Sequence, residues 1–88
     1  MYYTYMLVSN ARQERGIVGY RELPDLFCDF NFLAKEYGAR ACYLEDGSLI
    51  AIKGAQTVTL SIGVSEEPFP CRCLSTSMTE LMAVTFGR

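Results

Sequence analysis

The chain carries four cysteines, ten carboxylates, eight lysines and arginines, and no histidine. Without histidine the commonest general base is absent, and with it every His-dependent triad. Structural zinc sites usually present paired C-x2-C knuckles. Cys28, Cys42, Cys71 and Cys73 instead form one C-x-C and two singles, so we read them as reduced, mostly buried and packing like small apolar residues. Arg72, between Cys71 and Cys73, is the only local hint of a lowered thiol pKa. Paired carboxylates do acid–base work when one is buried and its pKa is raised. Asp25 and Asp29 stand at helical spacing on a face expected to be solvated, and Glu66 and Glu67 lie in a polar stretch. Gly16 and Gly19 make a lone G-x-x-G, which does not define a phosphate loop. These residues point to a chain that is not an enzyme and holds no cofactor or metal.

One cluster remains, and a helix must position it. Over residues 22–37, Leu23, Leu26, Phe27, Phe30, Leu33, Ala34 and Tyr37 recur at three- and four-residue steps, the period of a helix with one buried stripe. Pro24 fits its first turn, where a missing N–H costs nothing. Glu22 and Asp25 suit the positive end of the helix dipole, and Gly38 suits a left-handed C-terminal cap. On the helical wheel Phe32 falls about 150° from the centre of the stripe, with Asp25, Asp29 and Glu36 to one side and Cys28 to the other. In the plain reading Phe32 is covered by residues 9–21 or by the C-terminal segment, and the acids only solvate the helix. In the sharper one Phe32 anchors a protein interface and Asp25, Asp29 and Glu36 orient a partner with a basic surface. Arg12, Arg15 and Arg21, with Glu14 among them, form a weaker second surface for phosphates or an acidic partner.

The remaining elements read as a mainly antiparallel sheet with the main helix on one face. Residues 2–8 (YYTYMLV) suit a strand apolar on both faces, hence central. Residues 17–20 suit a short second strand of a hairpin. Residues 40–45 and 48–53 flank Asp46-Gly47, which favours a two-residue type I′ turn pairing Leu44 with Leu49, Tyr43 with Ile50 and Ala41 with Ile52. Residues 57–64 alternate, with Val58, Leu60, Ile62 and Val64 on one side. An odd loop near Gly54 would set Ile50 and Ile52 beside Val58 and Leu60; an even one would set Leu49 and Ala51 there. We favour the odd loop because it gathers the larger branched residues. Ser77 with Glu80 fits a capping box for a short helix over residues 77–86, with Met78, Leu81, Met82 and Thr85 on one face.

The chain has 88 residues, half of them hydrophobic, and a net charge of −2. It reads as one α+β domain, with more apolar surface than a small monomer hides, so we expect a protein partner or a homo-oligomer. Direct nucleic-acid binding normally needs a basic stripe, which is missing. The start of the chain has no signal-peptide pattern and no run is long enough to span a membrane, so we expect a cytoplasmic protein with reduced thiols. From residue 22 on, the order helix, three strands, helix matches a double-stranded-RNA-binding domain in topology alone. Residues 73–81 (CLSTSMTEL) lack the basic contacts such a domain needs at its second helix. An accessory subunit of a larger complex, or a small ligand binder, would also fit. The function best matched is a small binding protein, an inhibitor or adaptor. Inhibitors encoded by phages and mobile elements, anti-CRISPR proteins among them, share this general character, although no motif resembles one family.

Overall fold

Strands and helices follow in the order β1 (Tyr2–Ser9), β2 (Gln13–Ile17), α1 (Leu26–Glu36), β3 (Arg40–Tyr43), β4 (Leu49–Lys53), β5 (Gln56–Ser65) and α2 (Leu74–Phe86) in the computed structural model, which describes residues 1–19, 23–67, 69 and 72–87. The strands form one antiparallel sheet in the order β2-β1-β5-β4-β3. β1 is paired on both sides, as its two apolar faces imply. β2 begins earlier than the expected strand over residues 17–20. The hydroxyl of Ser9 accepts the N–H groups of Ala11 and Arg12 at 3.0 and 3.2 Å, a local turn that returns the chain at once and starts pairing at Gln13.

The main helix starts at Leu26, later than expected. Pro24 and Asp25 form a turn closed by the Leu26 N–H on the Leu23 carbonyl at 3.3 Å, so Pro24 precedes the helix, and Glu22 lies outside the described residues. Gly38 ends it as expected, at φ +76°. Its N–H bonds the Lys35 carbonyl at 3.0 Å and that of Ala39 bonds Ala34 at 2.9 Å, the paired bonds of a Schellman cap.

Two registers differ from expectation. Leu44 N–H bonds the Ser48 carbonyl at 2.7 Å, and Tyr43 pairs with Leu49, Cys42 with Ile50 and Ala41 with Ala51. The turn therefore holds three residues, Glu45 to Gly47, with Gly47 at φ +89°. A left-handed glycine serves a three-residue bulged hairpin as well as a two-residue turn. The shift puts Tyr43 on the helix side, where its ring stacks on Phe27 with centroids 4.8 Å apart. The β4–β5 loop is Gly54-Ala55, even rather than odd, with Gly54 at φ +62°. Leu49 and Ala51 thus join Leu60 and Val58 in the core, while Ile50 and Ile52 lie opposite Thr59 and Thr57 on the other face. Ala34, Ala39 and Ala51 are buried and Ala41 packs against them, where α1 meets β3 and β4.

α2 starts at Leu74, so Ser77 lies inside the helix and makes no capping box. Its buried face is Leu74, Ser77, Met78, Leu81, Met82, Thr85 and Phe86, which includes the four residues expected there. α1 covers β3 and β4, and α2 covers β1, β5 and β2 beside it. Both helices lie on the face of Tyr5, Leu7, Leu49, Ala51, Val58 and Leu60. The opposite face is bare of helices. Its strand residues include Tyr2, Met6, Val8, Ile17, Ile50 and Ile52 and no carboxylate. No helix among the described residues is long and apolar enough to cross a membrane.

Two substitutions test this packing. A methyl group at Gly16 would lie 2.7 Å from the Tyr5 hydroxyl and 2.8 Å from the Arg72 carbonyl. We expect Gly16→Ala to destabilise the fold by about 1–3 kcal/mol in urea unfolding. The Thr85 hydroxyl is buried and has no partner among the described residues, so Thr85→Val should leave stability unchanged or raise it by about 1 kcal/mol. A clear loss would show that the hydroxyl is bonded.

Candidate functional site

Two constellations emerge, one recognisable from the helical period and one not. The first is the outer face of α1. Asp25 occupies the N-cap position without a side-chain cap bond, Asp29 lies in the first turn, and Glu36 is the last helical residue. All three are exposed, as is Cys28. Phe32 is 65% exposed, so neither residues 9–19 nor α2 give it the cover expected in the plain reading. The helix places these four residues together because 25, 29, 32 and 36 recur at three- and four-residue steps. Among the described residues the three acids make no ion pair. Asp25 and Asp29 sit at the positive end of the dipole, where a carboxylate gains about 0.3–1 kcal/mol. Glu36 sits at the negative end, where a carboxylate is disfavoured by a similar amount.

The wider charge distribution follows the topology. Phe27 at the start of α1 stacks on Tyr43 at the end of β3, so Asp25 and Asp29 lie at the same end of the molecule as the turn acids Glu45 and Asp46. Glu66 and Glu67, just after β5, are at that end too. The Asp46 carboxylate accepts the Ser48 N–H at 2.9 Å, which with the Ser48 hydroxyl holds its pKa below the usual carboxylate range. Lys35, Arg40 and Lys53 lie at the opposite end, as does Glu36. The protein is electrically polar along its sheet.

The second constellation is a polar cluster between β1, β2 and α2. The Tyr5 and Ser77 hydroxyls lie 2.6 Å apart and are both buried. Tyr5 donates to the Arg72 carbonyl at 3.2 Å, and the Arg72 Nε–H is shared between Ser77 Oγ at 2.9 Å and Glu14 Oε1 at 3.0 Å. The order Arg72 Nε–H to Ser77, Ser77 to Tyr5, Tyr5 to the Arg72 carbonyl satisfies all three groups. Arg12 Nε bonds Glu14 Oε2 at 2.9 Å, and both Arg12 and Arg72 reach Glu80. Burial raises the Tyr5 pKa above 10.0, against the opposing pull of the Ser77 hydrogen bond and the Arg72 charge. Tyr5 is therefore a neutral donor at physiological pH. The two hydroxyls are buried, and the cluster ties α2 to the sheet.

This cluster draws Arg12 away from the other residues of the expected arginine surface. Arg12 is paired on the helix side, Arg15 projects from the bare face and lies 5.3 Å over the Phe69 ring, and Arg21 lies outside the described residues. Arg12 and Arg15 face opposite ways and form no patch. Cys28, Cys42 and Cys73 are exposed, against the expectation of burial. Cys28 lies on the outer face of α1 and Cys42 on the bare face of edge strand β3, positions the helices leave open. Cys71 lies outside the described residues. Among the described residues no three His, Cys, Asp or Glu side chains are grouped to hold a metal.

The cluster was hidden because its partners stand 67 and 72 residues apart in sequence; the one local signal was a tyrosine on a core-facing strand position, where a buried hydroxyl needs a partner. Tyr5→Phe should cost about 1–3 kcal/mol by leaving Ser77 and the Arg72 carbonyl short of a partner, and Tyr5→Phe with Ser77→Ala should cost less than the sum. Because folding raises the Tyr5 pKa, its stabilising share is complete below pH 10.0 and declines as pH rises further. The wild type should therefore lose the advantage it holds over Tyr5→Phe in that alkaline range. Compared with known proteins, the chain matches no family model, no curated protein and no solved structure.

Proposed function

We propose that this chain is a small non-enzymatic protein-binding module, an inhibitor or adaptor acting in the cytoplasm. It docks on a basic partner through the outer face of α1. The observation that carries this reading is Phe32, 65% exposed at the centre of Asp25, Asp29 and Glu36. An exposed aromatic ringed by charge has the composition of an interface hot spot, in which the ring fills a pocket and the acids set orientation and on-rate. Glu36 adds support: it gives up dipole energy and recovers none by pairing within the described residues. The polarity of the whole molecule would steer a basic surface toward the end bearing Asp25 and Asp29. Phage-encoded anti-defence inhibitors, anti-CRISPR proteins among them, are the class of small binder this description suits.

The α1-β3-β4-β5-α2 order keeps the topology of a double-stranded-RNA-binding domain. Arg72, the described cation beside the start of α2, is committed to Glu14 and Glu80, which supports the protein-binding reading over that one. The carboxylate-free bare face supports self-association as a second reading, testable by light scattering.

For the α1 reading, the chain is immobilised and the proteins it retains from its host are identified by mass spectrometry. Their affinities are then measured against Phe32→Ala and Asp29→Lys. We expect a loss of about 2 kcal/mol or more for Phe32→Ala and a slower, less salt-sensitive on-rate for Asp29→Lys. Unchanged binding by both variants would refute the α1 surface.

A further inference from the structure

Among the described residues the second half of β5 pairs with one strand. β1 pairs with β5 from Val58 to Ser65, but β4 pairs only from Gln56 to Leu60. The hairpin register decides which backbone groups this leaves open. The Val18 N–H bonds the Tyr3 carbonyl at 2.9 Å, so Tyr3, and with it Tyr5 and Leu7, directs its backbone groups toward β2. Thr4 and Met6 then bond β5 at Gly63 and Ser61, and Ile62 and Val64 turn their N–H and C=O groups away from β1. The far side of the sheet gives the same answer. Leu44 bonds Ser48, so Leu49 and Ala51 direct theirs to Leu60 and Val58, in phase with Ile62 and Val64. Among the described residues nothing pairs with these four groups of Ile62 and Val64.

Their side chains are open as well, at 38% for Ile62 and 57% for Val64. This stretch is a notch in the sheet, in line with β4 and just beyond the hairpin turn. Exposed strand edges of this kind accept an added strand, with main-chain bonds giving affinity and alternate side chains giving specificity. The rim is acidic: Glu45 and Asp46 on the hairpin turn, Glu66 and Glu67 after β5. A second copy pairing its own β5 here would set its Glu66 and Glu67 against Glu45 and Asp46, and like charges so placed are repelled. A strand with flanking lysines or arginines meets opposite charge at both ends.

We infer that the open half of β5 is a strand-addition site for an extended basic peptide segment of a partner protein, two apolar residues of which lie beside Ile62 and Val64. The inference rests on the reading of the chain as a protein-binding module, on an element separate from α1.

The test is amide exchange by NMR on the whole 15N-labelled chain. In the free protein the amides of Ile62 and Val64 should exchange much faster than those of Ser61 and Gly63, which bond β1. The probe is a capped heptapeptide, Lys-Thr-Val-Thr-Val-Thr-Lys. At saturation it should slow exchange at Ile62 and Val64 by about tenfold or more. Glu66→Lys with Glu67→Lys should weaken its binding by about fivefold or more. The same peptide with glutamates replacing the lysines should not bind. Phe32→Ala should bind the peptide as the wild type does, so failure of the α1 surface and failure of this site are read separately. Ile62 and Val64 amides already as protected as Gly63 in the free protein would overturn the inference. So would a peptide that leaves them unchanged, or protection that grows with protein concentration alone, which would assign the edge to a second copy.

Discussion

The buried hydroxyl of Tyr5 is the constraint around which the rest of the structure is arranged. A hydroxyl taken into a core without partners costs about 1–3 kcal/mol, a cost that Ser77 and the Arg72 carbonyl remove for Tyr5. That arrangement explains the glycine at position 16, because the ring and the Arg72 carbonyl occupy the space of a side chain. It also explains a serine at the buried centre of α2. Turning α2 by one residue would withdraw Ser77 from Tyr5, so the pair agrees with the face that the apolar residues of α2 bury. Met78, Leu81, Met82 and Phe86 share that face, and α1 packs beside α2 over the strands that remain.

Much of this architecture is written in local periodicity. The stripe of α1, the Gly38 cap and the alternation of β5 rest on steps of three, four and two residues, and chain and structure agree there. The two hairpin registers are decided elsewhere. Asp46-Gly47 is compatible with both turn lengths, and what selects the longer one is Tyr43 reaching Phe27 across the helix–sheet interface. Ile50 and Ile52 are the more hydrophobic pair, yet Leu49 and Ala51 face inward, because the two-residue loop Gly54-Ala55 sets them level with Leu60 and Val58. Phe32 was visible as the wrong residue on a helical wheel. The Tyr5 cluster was not, since no pattern in β1 announces a serine in the last helix.

The placement of charge connects fold to function. Acids gather where α1 begins, where the β3–β4 hairpin turns and where β5 ends, and lysines and arginines gather at the other end of β3 and β4. Such an arrangement stabilises a small fold little, since exposed charges are worth a few tenths of a kcal/mol each. Its larger effect is on encounter, drawing a basic surface toward one end. That end holds the exposed Phe32 face nearby and the unpaired stretch of β5, one suited to a side-chain anchor and the other to main-chain pairing. The Tyr5 tie joins the β1–β2 hairpin to α2, and β5 pairs with β1 beside it.

The state of the Tyr5 hydroxyl is therefore the quantity to measure, by following the ring Cζ resonance of 13C-labelled tyrosine as pH rises. We expect the Tyr5 signal to keep its phenol shift at pH 10.0, the ordinary midpoint of a tyrosine, and to change only above it, together with loss of α2 packing. A Tyr5 signal half-converted at or below that pH, with the fold intact, would contradict a sealed hydroxyl bonded to Ser77 and Arg72.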